Sequence, residues 1–204
     1  MKTILEAKNL NVIRGGSLLV DVPGLEIFEG ETLSLIGPNG AGKTTLLQAL
    51  CFLMKPSTGQ ILFRGQAVGA AQHVLEYRRR LAMVFQEPLL FDTTVFNNVA
   101  SGLRIRGQGG AEFRRVVESQ LERFGIAHLR DRSAKTLSGG EAQRTSLARA
   151  FAISPEILFL DEPFAALDPP TRELIVTDLE KVLAETKTTT LMATHDRNEA
   201  LRLS

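Results

Sequence analysis

The sequence predicts an α/β fold built on a largely parallel sheet. Strand-like and helix-like segments alternate through its 204 residues, the pattern of a parallel sheet with crossover helices. Thr32-Leu33-Ser34-Leu35-Ile36 and Ile157-Leu158-Phe159-Leu160 read as buried strands, the second being apolar throughout, as a strand covered on both faces should be. Between the first of these and a helix lies a glycine-rich loop, Gly37-Pro38-Asn39-Gly40-Ala41-Gly42-Lys43-Thr44.

The elements follow in order. Residues 3–13 and 18–29 alternate apolar and polar, and a Gly15-Gly16 turn joins them as two strands. After strand 32–36 and the loop, Thr45-Leu46-Leu47-Gln48-Ala49-Leu50 reads as a helix. Pro56-Ser57-Thr58-Gly59 is a turn into a strand at 60–64. A helix is expected near 70–80, then the strand Leu81-Ala82-Met83-Val84-Phe85. Residues 93–124 read as mostly helical, interrupted by Gly107-Gln108-Gly109-Gly110. Another helix starts at Ser138, followed by strand 157–160. Pro169-Pro170 opens a helix over 171–185, since proline suits a first turn. Thr188-Thr189-Thr190-Leu191-Met192-Ala193 is a final strand. Internal repeats and low-complexity tracts are absent.

Length allows one large domain or a domain with a subdomain. A composition of 44% hydrophobic and 23% charged residues is that of an ordinary globular protein. A formal net charge of +1 gives no global field toward nucleic acid or anionic lipid. Arg78-Arg79-Arg80 reads as a solvated helix face. One cysteine, Cys51, excludes an internal disulfide, suits a reducing cytosol, and reads as a small core residue. The start, Met1-Lys2-Thr3-Ile4-Leu5-Glu6, lacks the apolar run of a signal peptide, and no stretch approaches a membrane span. Any membrane role is therefore expected through a partner.

The loop at 37–44 fits the phosphate-cradling pattern G-x-x-x-x-G-K-[ST] in the strand–loop–helix setting that the pattern needs. Backbone N–H groups of the loop and helix start point at an anion. Lys43 reaches the β- and γ-phosphates, and the Thr44 hydroxyl ligates Mg²⁺. Asp161 and Glu162 end the second buried strand, where sheets of this kind bind their ligands. Asp161 is placed to hold Mg²⁺ directly or through water, and Glu162 to orient and deprotonate an attacking water.

Leu137-Ser138-Gly139-Gly140-Glu141-Ala142-Gln143-Arg144 offers a second anion site. Ser138 and Glu141 have the spacing of an ordinary capping box. That alone does not call for two glycines, which are poor helix formers. Gly139 and Gly140 leave backbone N–H groups uncovered beside the Ser138 hydroxyl and the helix dipole. If each site holds one γ-phosphate, two phosphate-binding helix starts on one chain imply that two chains share two nucleotides.

With these motifs in this order, the chain resembles the nucleotide-binding subunits of ABC transporters, from about residue 3 to the end. Gly37 to Thr45 match the Walker A loop, Leu158 to Glu162 Walker B, and Leu137 to Glu141 the signature motif, with Glu141 where glutamine is commoner. Gln86 matches the Q-loop glutamine, Ala166-Leu167-Asp168 the D-loop, and His195 the switch histidine. The resemblance implies a RecA-like, mostly parallel core, an antiparallel β subdomain and a helical signature subdomain. The core then comprises about 1–85 and 155–204, and the helical part about 86–154. It implies ATP and Mg²⁺ as cofactors, with Gln86 contacting the ion and the water. His195 donates to the γ-phosphate and Asp168 organises a dimer interface. Ser138, Gly139 and Gly140 close on the γ-phosphate held by Walker A of the other subunit. Taken singly, each residue has a plainer reading: Asp168 could simply cap a helix, and His73 and His128 stay ordinary.

In two places the chain departs from the family pattern. Relatives usually stack an aromatic residue on adenine, whereas here Arg14 stands at that position. Its guanidinium, helped by Val12 or Ile13, is expected to cover the base. The chain also ends at Ser204, soon after His195, where relatives continue.

The expected assembly is a head-to-tail homodimer, or a pairing with a second ATPase subunit. It would sit at the cytoplasmic face of a membrane beneath a transmembrane permease subunit and, indirectly, serve a solute-binding protein. Nucleic acid is not an expected partner. The segment Glu87 to Val99, with Leu89, Leu90, Phe91, Val95 and Phe96, resembles the face importers present to their membrane subunits; packing of the helical subdomain is the other reading. A separate chain without a span favours an importer over exporters that fuse both parts. Phe91 to Leu103 resembles importers of inorganic oxyanions, namely tungstate, molybdate or phosphate. An alternative is an ABC ATPase acting on DNA or ribosomes. Against it, no sustained heptads lie between Gln86 and Leu137, and only one such domain is present. A P-loop kinase would leave Leu137–Glu141 without a role.

Overall fold

The computed structural model describes residues 2–69 and 71–204, and the expected α/β architecture is what it shows. The predicted helix near 70–80 begins, within the described residues, at Ala71. The chain divides into two compact units: Met1–Met83 with Glu156–Asp161 and Lys187–Ser204, and Val84–Pro155 with Glu162–Thr186.

The first unit carries an antiparallel sheet. Strands β1 (Thr3–Arg14) and β2 (Ser17–Phe28) form a hairpin around Gly15-Gly16. Strands β4 (Thr58–Phe63) and β5 (Gln66–Ala67) complete the order β2-β1-β4-β5. The short strand β5 leaves too little alternation to be read from sequence.

Strand β3 (Thr32–Ile36), helix α1 (Lys43–Leu50), helix α2 (Ala71–Arg79) and strand β6 (Leu81–Val84) follow the expected order. Strands β7 (Ile157–Asp161) and β8 (Thr189–Thr194) complete a second sheet of order β3-β8-β7-β6. Pairing of β3 with β8 and of β8 with β7 is parallel. Every residue of β7 and β8 is buried; β7 is apolar up to Asp161, while β8 also buries Thr189, Thr190 and Thr194. Helix α1 buries Leu46, Leu47 and Leu50 in one core with Leu5, Leu10 and Val12 of β1, Phe159 of β7 and Leu191 of β8. Cys51 belongs to this core, and burial pushes its thiol well above the usual range. Arg78, Arg79 and Arg80 are solvent-exposed, as their run suggested, and Arg80 pairs with Glu156 at 3.1 Å.

The second unit is helical: α3 (Val95–Ile105), α4 (Gly110–Arg123), α5 (Gly139–Ala152) and α6 (Pro169–Thr186), with single 3₁₀ turns at Ala127–Leu129 and Ala134–Thr136. Thr94 caps α3 by accepting from Asn97 N–H at 3.2 Å. Phe124 and Phe151 stack obliquely at 5.6 Å between α4 and α5. Helix α6 starts two residues before the expected 171, because Pro169 and Pro170 themselves occupy its first turn, where no N–H is needed. A last helix, α7 (Arg197–Leu203), belongs to the first unit and was not foreseen. Among the described residues no helix is long and apolar enough to cross a membrane.

Candidate functional site

Parallel register decides what meets what. Ile36 of β3 lies opposite Thr194 of β8, and Asp161 of β7 opposite Ala193. The loop from Gly37, the Walker-type Asp161 and His195 therefore leave the sheet at one carboxyl edge, where such sheets bind ligands.

The loop itself is built for close backbone approach. Gly42 has φ +85°, and a Cβ there would lie 2.8 Å from Leu19 O, so a side chain would be both strained and blocked. Gly42 is also the N-cap of α1 and brings no side-chain acceptor to the first-turn N–H groups. An anion is the natural partner for a helix start of that kind. Lys43 Nζ donates to Gly37 O at 2.7 Å and Pro38 O at 3.1 Å, which holds its ammonium over the loop. Pro38, Asn39, Gly40 and Ala41 are exposed along the crest, and Thr45 is half-buried in the first turn of α1.

Thr44 Oγ1 donates to Asp161 Oδ1 at 2.8 Å. Two of the three expected metal ligands, Thr44 and Asp161, are thus already neighbours. No cluster of three or more His, Cys, Asp or Glu among the described residues could cage a metal. A hydroxyl and a carboxylate, with the remaining positions open, suit an ion such as Mg²⁺ that takes phosphate oxygens and water.

His195 is exposed, and the residues around it are tightly tied. Thr194 Oγ1 donates to Glu199 Oε2 at 2.7 Å and accepts from Asp196 N–H at 3.0 Å. Asp196 caps α7 by accepting from Asn198 N–H at 2.7 Å. His195 is the single residue between the end of β8 and that cap. Sequence reasoning missed this brace; Asp196 with Glu199 three residues on was the available signal.

Arg14 lies at the exposed tip of the β1–β2 hairpin. Of the two residues expected to help it, Val12 is 1% exposed and belongs to the core, because the strand's alternation turns it inward. Ile13, 47% exposed, is the residue facing out.

Glu162 directly follows Asp161 and belongs to the second unit. It is 8% exposed, with φ +46°, a left-handed conformation costing a non-glycine residue roughly 1 kcal/mol or more. Gln86 lies two residues past β6 and is exposed. Asp168 Oδ1 accepts from Thr171 N–H at 3.0 Å, so it does cap α6.

At the start of α5 the capping box is complete. Ser138 Oγ accepts from Glu141 N–H at 3.3 Å, and Glu141 Oε2 accepts from Ser138 N–H at 2.7 Å. A hydroxyl that accepts still has its own proton to donate. Gly139 is exposed. Gly140 has a second reason to be glycine: a Cβ would stand 2.5 Å from Thr171 Cγ2 of α6. Arg144, in the same motif, is structural. It pairs with Asp178 at 2.6 Å and donates to Phe124 O at 3.0 Å, tying α5 to α6 and to the end of α4.

The apolar segment before α3 divides between its two readings. Val95 is fully buried, and Phe96 packs on Phe113 at 6.3 Å under the Arg130 guanidinium at 4.9 Å. Leu89 and Phe91 are instead 57% and 55% exposed. Arg149 backs them, donating to Leu89 O at 2.7 Å and lying 6.0 Å from the Phe91 ring; burial lowers its pKa.

A model of the ABC transporter family matches residues 20–165. The chain belongs to that family. It is 38% identical over 199 residues to the tungstate uptake system ATP-binding protein TupC of Peptoclostridium acidaminophilum, covering 98% of this chain and 90% of that protein. It is 37% identical over 202 residues to the spermidine/putrescine import ATP-binding protein PotA of Mesoplasma florum, covering 98% of this chain and 57% of that one. Among solved structures, a dimeric ATP-binding cassette in a post-hydrolysis state with ADP and Pi superposes with a TM-score of 0.86 at 30% identity, covering 98% of this chain and 91% of that chain. This ABC chain spans a little over half the length of several curated relatives it matches.

Proposed function

We propose that this chain is the Mg²⁺-dependent ATPase subunit of a membrane ABC importer. The Thr44–Asp161 pair at the loop's mouth carries the reading, because it joins a phosphate-loop hydroxyl to a strand-end carboxylate at 2.8 Å. In this reading Lys43 and the N–H groups of Gly37–Thr45 hold the β- and γ-phosphates. Thr44 and Asp161, with Gln86, hold the ion, which when bound neutralises charge on the phosphates. Glu162 accepts a proton from water as the water oxygen attacks the γ-phosphorus. The β–γ bridging P–O bond breaks, and ADP and phosphate result. His195 donates to the γ-phosphate.

Two copies pair head to tail. Ser138, Gly139 and Gly140 of one copy face the γ-phosphate on the other, with Asp168 at the seam. ATP favours the closed dimer and ADP does not, which makes hydrolysis a switch. Arg14 and Ile13 are the residues offered for the base. Exposed Leu89 and Phe91 are offered to a transmembrane permease subunit at the cytoplasmic membrane face. The cargo reading is an inorganic oxyanion such as tungstate, molybdate or phosphate, supported by the resemblance over 91–103 and by the tungstate relative. The polyamine relative shows that similarity of this subunit does not select among cargoes.

The test is Glu162→Gln. Turnover should fall by at least ~10²-fold, the scale of a lost general base, with ATP binding retained and an ATP-dependent dimer trapped. Normal turnover would remove Glu162 from the base role. Co-purification with a polytopic membrane protein from gently solubilised membranes tests the importer reading.

A further inference from the structure

The stretch before α5 is tied to the stretch before α3. Thr94 and Ser133 form an antiparallel bridge. Val95 N–H donates to Arg132 O at 3.0 Å, Phe96 N–H to Arg130 O at 2.9 Å, and Ala134 N–H to Thr93 O at 2.9 Å. Arg132 thus has its backbone in the strap that holds 93–96.

Its guanidinium holds the other end. Nη2 donates to Thr136 O at 2.7 Å, Nε to Thr136 Oγ1 at 3.2 Å, and Nη1 to Glu141 Oε1 at 3.2 Å. Glu141 in turn fixes Ser138 N–H through its second oxygen at 2.7 Å. All three kinds of guanidinium nitrogen are spent on one turn and its cap. Such a pair adds little stability where its side chains are 44% and 27% exposed, so stability does not explain it. Position and charge do. Glu141 places a carboxylate within one turn of N–H groups meant for a phosphate, and Arg132 neutralises it.

We propose that Arg132 is a positioning residue. It holds Ser138 and the N–H groups of Gly139 and Gly140 preformed for the γ-phosphate of a second copy, in fixed relation to residues 93–96. This rests on the head-to-tail reading above. Lysine would not replace it, because a single ammonium cannot span Thr136 and Glu141 together.

The test uses the full chain carrying Glu162→Gln, with ATP and Mg²⁺. Dimerisation is followed by sedimentation, and ATP affinity by fluorescent-nucleotide titration below the dimerisation concentration. Arg132→Ala and Arg132→Lys should keep ATP affinity within about twofold, because they do not touch the loop at 37–44. Each should weaken dimerisation about tenfold or more, the scale of one charge-assisted hydrogen bond. Adding Glu141→Gln to Arg132→Ala should recover part of the loss, because it removes the unneutralised charge. Dimerisation at the parent's affinity in Arg132→Lys or Arg132→Ala overturns the inference while the head-to-tail reading stands. Equal losses in ATP affinity and dimerisation also overturn it, as general damage. If the parent does not dimerise with ATP, the head-to-tail reading falls and this inference falls with it.

Discussion

Thr44 Oγ1 and Asp161 Oδ1 are 2.8 Å apart and 117 positions apart in sequence. The first is set by the start of α1, the second by the end of β7, and β8 lies between β3 and β7 in the sheet. The pair separates a charge effect from a folding effect. Asp161→Asn keeps an oxygen to accept from Thr44 but removes the charge. Nucleotide affinity should then fall about tenfold with Mg²⁺ and stay unchanged in EDTA. Equal losses in both conditions would mean the carboxylate supports the fold instead. Lys43→Ala should weaken ATP binding about 10- to 100-fold in the same titration, since it removes a charged donor from the phosphates.

Gly140 faces Thr171 Cγ2, with only 2.5 Å for a Cβ. Alanine would gain about 1 kcal/mol of helix propensity and lose about 1–3 kcal/mol to overpacking. Gly140→Ala should therefore lower the melting temperature. In a Thr171→Ser background, which deletes the crowding methyl, it should become neutral or stabilising. A stabilising Gly140→Ala in the native background would show that Thr171 turns aside and that the approach of α5 to α6 does not demand glycine.

Gln143 is 1% exposed, and neither Nε2 nor Oε1 finds a partner among the described residues. An unmade buried hydrogen bond costs about 1–3 kcal/mol. Gln143→Met, of similar length, should raise stability in denaturant titration. A loss larger than about 1 kcal/mol would point to an ordered water satisfying the amide.

Two carboxylates at helix starts titrate below their ordinary values. Thr171 N–H holds the Asp168 carboxyl below 3.8, and the bond from Ser138 N–H, aided by Arg132, holds Glu141 below 4.5. The folded protein binds these protons less readily than the unfolded chain. The stability they contribute is complete above the ordinary carboxylate range and is lost as pH falls through the folded values. Thermal melts should show Asp168→Asn and Glu141→Gln less stable than the parent at pH 7, with the gap closing on the acid side of 3.8 and 4.5 respectively. A gap constant across that range would mean that geometry, not charge, makes the caps.

Much of the fold was legible because its signals are local. The run at 157–160 reads as a buried strand, and Gly42-Lys43-Thr44 after 32–36 as a tight turn into a helix, as the structure has them. Helix α7 is short, seven residues, and carries too little periodicity to be read, although Asp196 caps it by accepting from the N–H groups of Asn198 and Glu199. The choice between Val12 and Ile13 needed the structure: neighbours on a strand face opposite ways, and β1 turns Val12 into the core and Ile13 out.

The sequence by itself determined the chemistry on offer: a lysine and threonine in a glycine loop, paired carboxylates after an apolar strand, a serine and two glycines opening a helix. These are statements about residue type and spacing, and short-range sterics enforce them. Only the tertiary structure decided which partners those groups hold. It gave Asp161 to Thr44 and the space beside Gly140 to Thr171. It also split one apolar segment, burying Val95 and leaving Leu89 and Phe91 outside. Such choices depend on register and packing between elements remote in the chain, which no local pattern of residues encodes.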